Sequence, residues 1–264
     1  MIVRLNRLPT AMLVTLPVLW AVPSQAANHL SAEQVREAVK GAPLGKVDLS
    51  GRDMSGDDLT DLDLTGANLA KANLSGANLH GVKLIGADLT GADLSKADLT
   101  FAWFIKARFD HANLRGATLQ TVVTSKAMDN TADQAASFVG ADLSDTSATV
   151  HFSFDDMRGV SFAHARMSAV IANQSMGLLR TEFMSCNLDD ANFEGAGLGH
   201  NLFRFAKLRN ANFRDADLTA ADFTGAYLDG SDFTGAKLNA ATFKGASLAG
   251  VKGLDQLQAS GSSD

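Results

Sequence analysis

From Leu49 to Leu119 a large apolar residue returns at every fifth position, as in Leu64, Leu69, Leu74, Leu79, Leu84 and Leu89. Two places before most of these centres stands Ala, for example Ala67, Ala72, Ala77 and Ala87. The other three places hold Asp or Asn, Ser or Thr, and Gly. Helices repeat their apolar positions at about 3.6 residues and strands at 2, so a period of five fits neither. Each unit therefore reads as a short extended piece with one small and one large inward residue. A corner follows at the Gly or polar place.

The C-terminal block shows how many corners close a coil. Its centres run Phe183, Leu188, Phe193, Leu198, Phe203, Leu208, Phe213 and onward to Leu248, with Phe and Leu alternating throughout. That alternation divides evenly into a four-sided coil of about twenty residues. Phe183, Phe203, Phe223 and Phe243 then stack on one side and Phe193, Phe213 and Phe233 on the opposite one. A three-sided coil scrambles these columns. The same register places Asp189, Arg209 and Asp229 in one outward column and makes Glu194 and Arg214 neighbours.

The tandem A-[DN]-L-x-x motif covers roughly residues 45–120 and 180–250 and resembles the pentapeptide-repeat family. The resemblance implies an all-β solenoid, a right-handed four-sided β-helix. It implies no single function, because the family hosts many roles.

The pattern divides the chain. Residues 1–26 combine Arg4 and Arg7, the apolar run "TAMLVTLPVLWAV" and the small residues Ser24 and Ala26. This is the layout of a secretory signal peptide cleaved near Ala26/Ala27, and it predicts a periplasmic or secreted protein. Within 27–43, "SAEQVREAVKG" predicts a capping helix, with Ser31 as N-cap, Gln34 as its capping-box partner and Gly41 as the stop. Residues 44–120 form the first repeat block and 121–140 an insertion. Residues 141–179 are irregular coils, 180–252 the second block, and 253–264 a C-terminal cap and tail. No Gly/Ser/Pro linker separates the blocks, so one continuous rod is expected, as a monomer or an end-to-end dimer.

Charge and chemistry narrow the function classes. Without Arg4 and Arg7, the 23 Lys and Arg fall to 21 against 29 Asp and Glu, a mature charge of −8. That disfavours nucleic acid as a partner, and no long apolar run after residue 26 predicts a membrane anchor in the mature chain. Phosphate-binding loops, nucleophile elbows and zinc-protease motifs are absent. No catalytic, cofactor or metal site is expected, so the chain reads as a non-enzyme. The five histidines within the repeats fall at outward places. Cys186 and Asn201 take the small inward place normally held by Ala.

Two surface features stand out. Ile85, Phe101, Trp103 and Ile105 break the polar rule of one side and form a candidate interaction patch, beside the point where the insertion begins. The insertion is read as a fixed cover over this patch or as a movable lid. Arg204, Lys207, Arg209 and Arg214 make a basic belt, either an anion site or part of a charge ladder. The reading that follows is a non-catalytic exported scaffold presenting a rigid surface to an unidentified protein partner. The family resemblance also implies an alternative, an acidic DNA mimic that binds DNA gyrase and protects it. The signal peptide weighs against that alternative.

Overall fold

The computed structural model of the protein describes residues 28–43, 45–124, 131–168 and 180–255. The signal segment 1–26, Met128 of the insertion, residues 169–179 and the tail from residue 256 lie outside the described residues. Backbone pairing is parallel and rises up the rod. Asp48, Asn68, Asp88, Arg108, Ser137, Asp156, Asn187, Lys207, Tyr227 and Ser247 pair each with the next. Nine such steps at ~4.8 Å make a rod of roughly 43 Å. We number the four sides by their first centres: Leu49, Met54, Leu59 and Leu64.

Each corner has the same local cause. The N–H three residues past a centre donates to that centre's carbonyl, as Arg52 does to Leu49 (3.2 Å) and Ala67 to Leu64 (3.0 Å). The residue before that donor has positive φ, 63° at Gly51 and 59° at Lys71. A type II turn needs a left-handed residue at this place, which explains the frequent Gly. An Asp or Asn before the centre braces many of these turns. Asp58 Oδ1 accepts the Thr60 N–H at 3.1 Å and the Thr60 hydroxyl at 2.5 Å. These two donors, the hydroxyl first, hold the Asp58 carboxyl below the usual carboxylate range. The aspartates are thus backbone braces by construction.

The interior is continuous. Phe183 stacks on Phe203 at 4.9 Å and Phe203 on Phe223 at 4.8 Å, with ring planes within 9° and 6°. On the opposite side Phe193 stacks on Phe213 at 4.8 Å and Phe213 on Phe233 at 4.7 Å. Rings across the interior meet edge to face, as Phe203 and Phe213 do at 5.8 Å and 87°. Both arrangements suit the aromatic quadrupole.

The ladder departs from twenty residues at a few places. Trp103 pairs with Val123, and Arg108 with Ser137, a step of 29. The insertion is therefore narrower than residues 121–140, because the repeat resumes at Ser137. Phe138 is a buried centre stacked on Phe109 at 4.8 Å. The next coil is one residue short, with Ser137 pairing to Asp156. Its centres Ala148 and Phe152 are four apart, so one corner straightens. There β1 (Thr118–Val122) pairs with β2 (Ser147–Val150) around an irregularity between Gln120 and Val122. That missing residue disguised the repeat between 141 and 167, whose centres Phe152, Met157, Phe162 and Met167 are all buried. A step of 31 then links His151 to Glu182 across residues 169–179.

The N-terminal end is capped. Helix α1 (Ala32–Gly41) has a complete capping box between Ser31 and Gln34, and Gly41 is its last residue rather than a stop beyond it. Val35 is fully buried against the first coil. His29 pairs with Asp53 and the Leu30 N–H donates to the Asp53 carbonyl at 2.9 Å. Those contacts cover a sheet edge that would otherwise be open.

Candidate functional site

On the fourth side, Trp103 lies between Lys83 and Val123 in the ladder and is half-buried. Ile85 is also half-buried, whereas Ile105 is fully buried. The Lys106 N–H donates to the Gln134 carbonyl at 3.0 Å, which draws the short 3-10 turn Ala132–Gln134 alongside Ile105. Phe101, at the preceding corner, is 48% exposed and meets the His80 ring edge-on at 5.3 Å. The four residues thus do not form one open surface. Ile105 is closed off because the chain returns beside it, which no count of fives reveals.

The basic belt dissolves into separate ion pairs. Arg204 binds Asp222 at 2.5 Å, Arg209 binds Asp189 at 3.3 Å, and Arg214 binds Asp232 at 3.3 Å. Arg209 also lies over the Tyr227 ring, 5.4 Å from its centroid. Arg214 reaches to Asp232 on the following coil rather than back to Glu194, whose Oε2 accepts from Asn212 Nδ2 at 3.3 Å. The three arginines leave from the fourth, first and second sides, so they point apart. Lys207 is exposed on the first side between Asn187 and Tyr227.

Three features escaped the sequence reading. Phe154 and Phe205 occupy left-handed turn places on the corner between the fourth and first sides, with φ of 69° and 57°. They are 42% and 57% exposed; on the coil between them Ser185 holds the same turn place and half-buried Met184 stands just before it. The Phe205 ring folds over Gly225, where an added Cβ would lie 2.6 Å from ring carbons.

The second feature is Asp155, 2% exposed at the small inward place before Met157. Its Oδ1 accepts the Ala136 N–H at 2.8 Å, and its Oδ2 has no partner. Burial pushes the carboxyl up to about 8, against a smaller lowering by the Ala136 N–H. The string "FSFDDM" carried the signal, an Asp where the repeat asks for Ala. Cys186 fills the same place one coil on, fully buried, with its thiol directed at the Phe152 carbonyl and raised by burial. Asn201 is fully buried and neither polar atom of its amide has a partner.

The third feature is a groove of about 380 Å³ on the third side, lined by Gln120, Ser147, Ala148, Thr149, Arg166, Ser168 and Gly197. Elsewhere the surface offers little convergent chemistry. His29 and His151 approach Asp57 and Glu182 at 3.9 and 3.7 Å. Among the described residues no three His, Cys, Asp or Glu gather as a metal site, and no helix is long and apolar enough to cross a membrane.

This geometry defines a four-sided β-helical solenoid built on five-residue units. The family models for "Pentapeptide repeats (8 copies)", over 44–81, 58–95 and 92–120, and for "Pentapeptide repeat region", over 176–252, match the chain. The protein belongs to the pentapeptide-repeat family, whose members fold as right-handed quadrilateral β-helices. It is similar to HetL, a pentapeptide repeat protein involved in heterocyst differentiation regulation in the cyanobacterium Nostoc sp. strain PCC 7120. The identity is 23%, over 84% of this chain and 97% of HetL, with a TM-score of 0.50. A pentapeptide repeat protein from the Arabidopsis thaliana thylakoid lumen is 31% identical over 49% of this chain and 70% of its own, with a TM-score of 0.25. QnrB1, a plasmid-mediated fluoroquinolone resistance protein, is 20% identical in its full-length form, over 77% of this chain and 93% of its own, with a TM-score of 0.23. No curated protein matches the chain.

Proposed function

We propose that the protein is a non-catalytic interaction scaffold, exported from the cytoplasm, which presents a rigid β-helical surface to a protein partner. One observation carries the reading. Phe154 and Phe205 stand exposed at turn places of one corner, where most other coils use Gly, Ala or a polar residue; Phe101 stands likewise at a different corner. A large aromatic there adds nothing to the turn, and left-handed φ disfavours it. Rigid aromatic side chains are the common anchors of protein interfaces. With Met184 beside Ser185 on the coil between, they place three apolar side chains near one corner of a stiff rod.

The DNA-mimic alternative finds no support on this surface. Asp63, Asp88, Asp189, Asp217, Asp222 and Asp232 each lie within ion-pair distance of a Lys or Arg on a neighbouring coil. A mimic of DNA needs a continuous acidic face, and here bases interrupt the acids at these six places.

Two measurements test the proposal. N-terminal sequencing of the natural protein is expected to start near Ala27, in a fraction outside the cytoplasm; an intact Met1 in the cytosol overturns export. For the surface, Phe154→Ser/Phe205→Ser is expected to melt within a few degrees of wild type, since both rings are outside the core. The same variant should lose the protein that wild type captures from a periplasmic or extracellular fraction. Equal capture by both forms would remove this corner from the function.

A further inference from the structure

The groove on the third side combines three observations that the scaffold role does not use. First, its floor is low at one place. Gly197 lines the groove, and Gly199, on the other side of the centre Leu198, is buried beneath the Ser168 side chain. Outside α1, every other described glycine sits at positive φ, where a turn requires it, but these two do not. A Cβ at Gly197 would lie 3.3 Å from Ser168 Oγ, and the column of Gly197 carries Ser147, Arg166, Asp217 and Lys237 on other coils. The two glycines make room for the Ser168 side chain, and Gly197 leaves a shallow floor beside it. Glycine in an extended segment often marks the close approach of a ligand or another backbone.

Second, the groove holds an uncompensated cation. Every other described arginine side chain meets a carboxylate, an amide or a carbonyl, as Arg115 does with Asp145 at 2.8 Å and Arg36 with the Asp58 carbonyl at 3.0 Å. The Arg166 side chain is exposed and meets no acid or carbonyl among the described residues. Its backbone is held in the ladder, with its N–H donating to the Thr146 carbonyl at 2.8 Å, so the head group is presented from a fixed base.

Third, the polar groups of the wall are pre-arranged and leave both donors and acceptors over. The Thr149 hydroxyl donates to Gln120 Oε1 at 2.5 Å, and Gln120 Nε2 donates to Ser147 Oγ at 3.0 Å. The Ser168 hydroxyl oxygen accepts the Gly199 N–H at 3.1 Å. The hydroxyl protons of Ser147 and Ser168 therefore remain free to donate, and lone pairs on Thr149 Oγ1 remain free to accept. The arrangement exists only because the corner between β1 and β2 is straightened, which aligns Gln120 beside Thr149.

We propose that this groove binds an acidic saccharide, a sugar residue bearing a carboxylate. Arg166 takes the carboxylate, for which its planar fork is suited. Ser147, Ser168 and Thr149 meet ring hydroxyls, which both donate and accept. The low floor at Gly197 lets a sugar ring lie beside Ser168. A simple phosphate ion would be served by donors alone and would leave the acceptor and the floor unused. The site lies on a different side of the rod from the Phe154–Phe205 corner, so the two stand or fall separately.

Tri-galacturonate, a neutral gluco-oligosaccharide of the same length and inorganic phosphate serve as probes in calorimetric titrations of the full chain. Tri-galacturonate is expected to bind, the neutral sugar much more weakly, and phosphate not at all. Arg166→Gln should weaken tri-galacturonate about tenfold or more, as loss of a charge-assisted pair does. Gly197→Asn fills the floor with a residue the ladder tolerates elsewhere and should abolish binding, with the melting temperature checking that both variants stay folded. Three results overturn the proposal: no tri-galacturonate binding at millimolar concentration, equal binding by wild type and Arg166→Gln, or phosphate binding as tight as tri-galacturonate.

Discussion

Phe213→Ala is expected to cost about 3–5 kcal/mol of stability, the range for truncating a fully buried phenylalanine. Phe213 is fully buried, lies 4.8 Å from Phe193 on the preceding coil and 4.7 Å from Phe233 on the following one, and meets Phe203 and Phe223 edge-on. Four ring contacts are lost together. The stacked coils cannot close the void, because each backbone is pinned to its neighbours, as the Phe213 N–H is to the Asp232 carbonyl at 2.7 Å. Repeat arrays couple each coil to the next, so a weakened interface in the middle also lowers cooperativity. Denaturant unfolding followed by circular dichroism reads both effects. A midpoint within experimental error of wild type would show that the aromatic columns do not hold the rod together.

The second large effect is a stability that depends on pH through Asp155. Its carboxyl has an ordinary value of about 3.9 in the unfolded chain and is pushed up to about 8 when folded. Between these values the folded protein keeps a proton that the unfolded chain has released. Stability therefore falls as pH rises through this window and levels off above about 8. The full loss is on the order of 5 kcal/mol, taking ~1.4 kcal/mol per pH unit across the interval. Cys186, the nearest ionisable neighbour in the interior, stays a neutral thiol throughout because burial raises it too. Asp155→Asn keeps the shape and an acceptor for the Ala136 N–H but cannot ionise. It is expected to stay close to wild type at pH 4 and to exceed it by several kcal/mol at pH 9. Melting curves of both proteins from pH 4 to 9 decide the matter, since every other titrating group is common to the two; parallel curves would mean that Asp155 titrates as if exposed.

Asp155 also marks the boundary between what the sequence tells and what it conceals. Its place in the repeat was readable once Met157 was taken as a centre, but its surroundings were not. The donor on its Oδ1 is Ala136, whose position depends on where the insertion ends. The same holds for the patch at Ile85, Phe101, Trp103 and Ile105. All four residues were placed by counting, and Ile105 was nevertheless closed off by the returning chain at Gln134.

The sequence by itself determined the architecture: the five-residue unit, the four sides, the two phenylalanine columns and the helix that caps the first coil. A solenoid makes this possible because residues in contact across coils stand at a constant offset along the chain, so periodicity is itself a map of contacts. The tertiary structure decided whatever depends on a break in that offset. The nine extra residues between Arg108 and Ser137, beyond the usual twenty, and the missing residue before Phe152 change the register. With it they set the straightened corner at β1 and β2, the groove beside Arg166 and the burial of Asp155. Which acid each arginine reaches was also beyond counting. Arg214 has carboxylates on the coils above and below, and the direction of a long side chain, set by packing, sends it to Asp232.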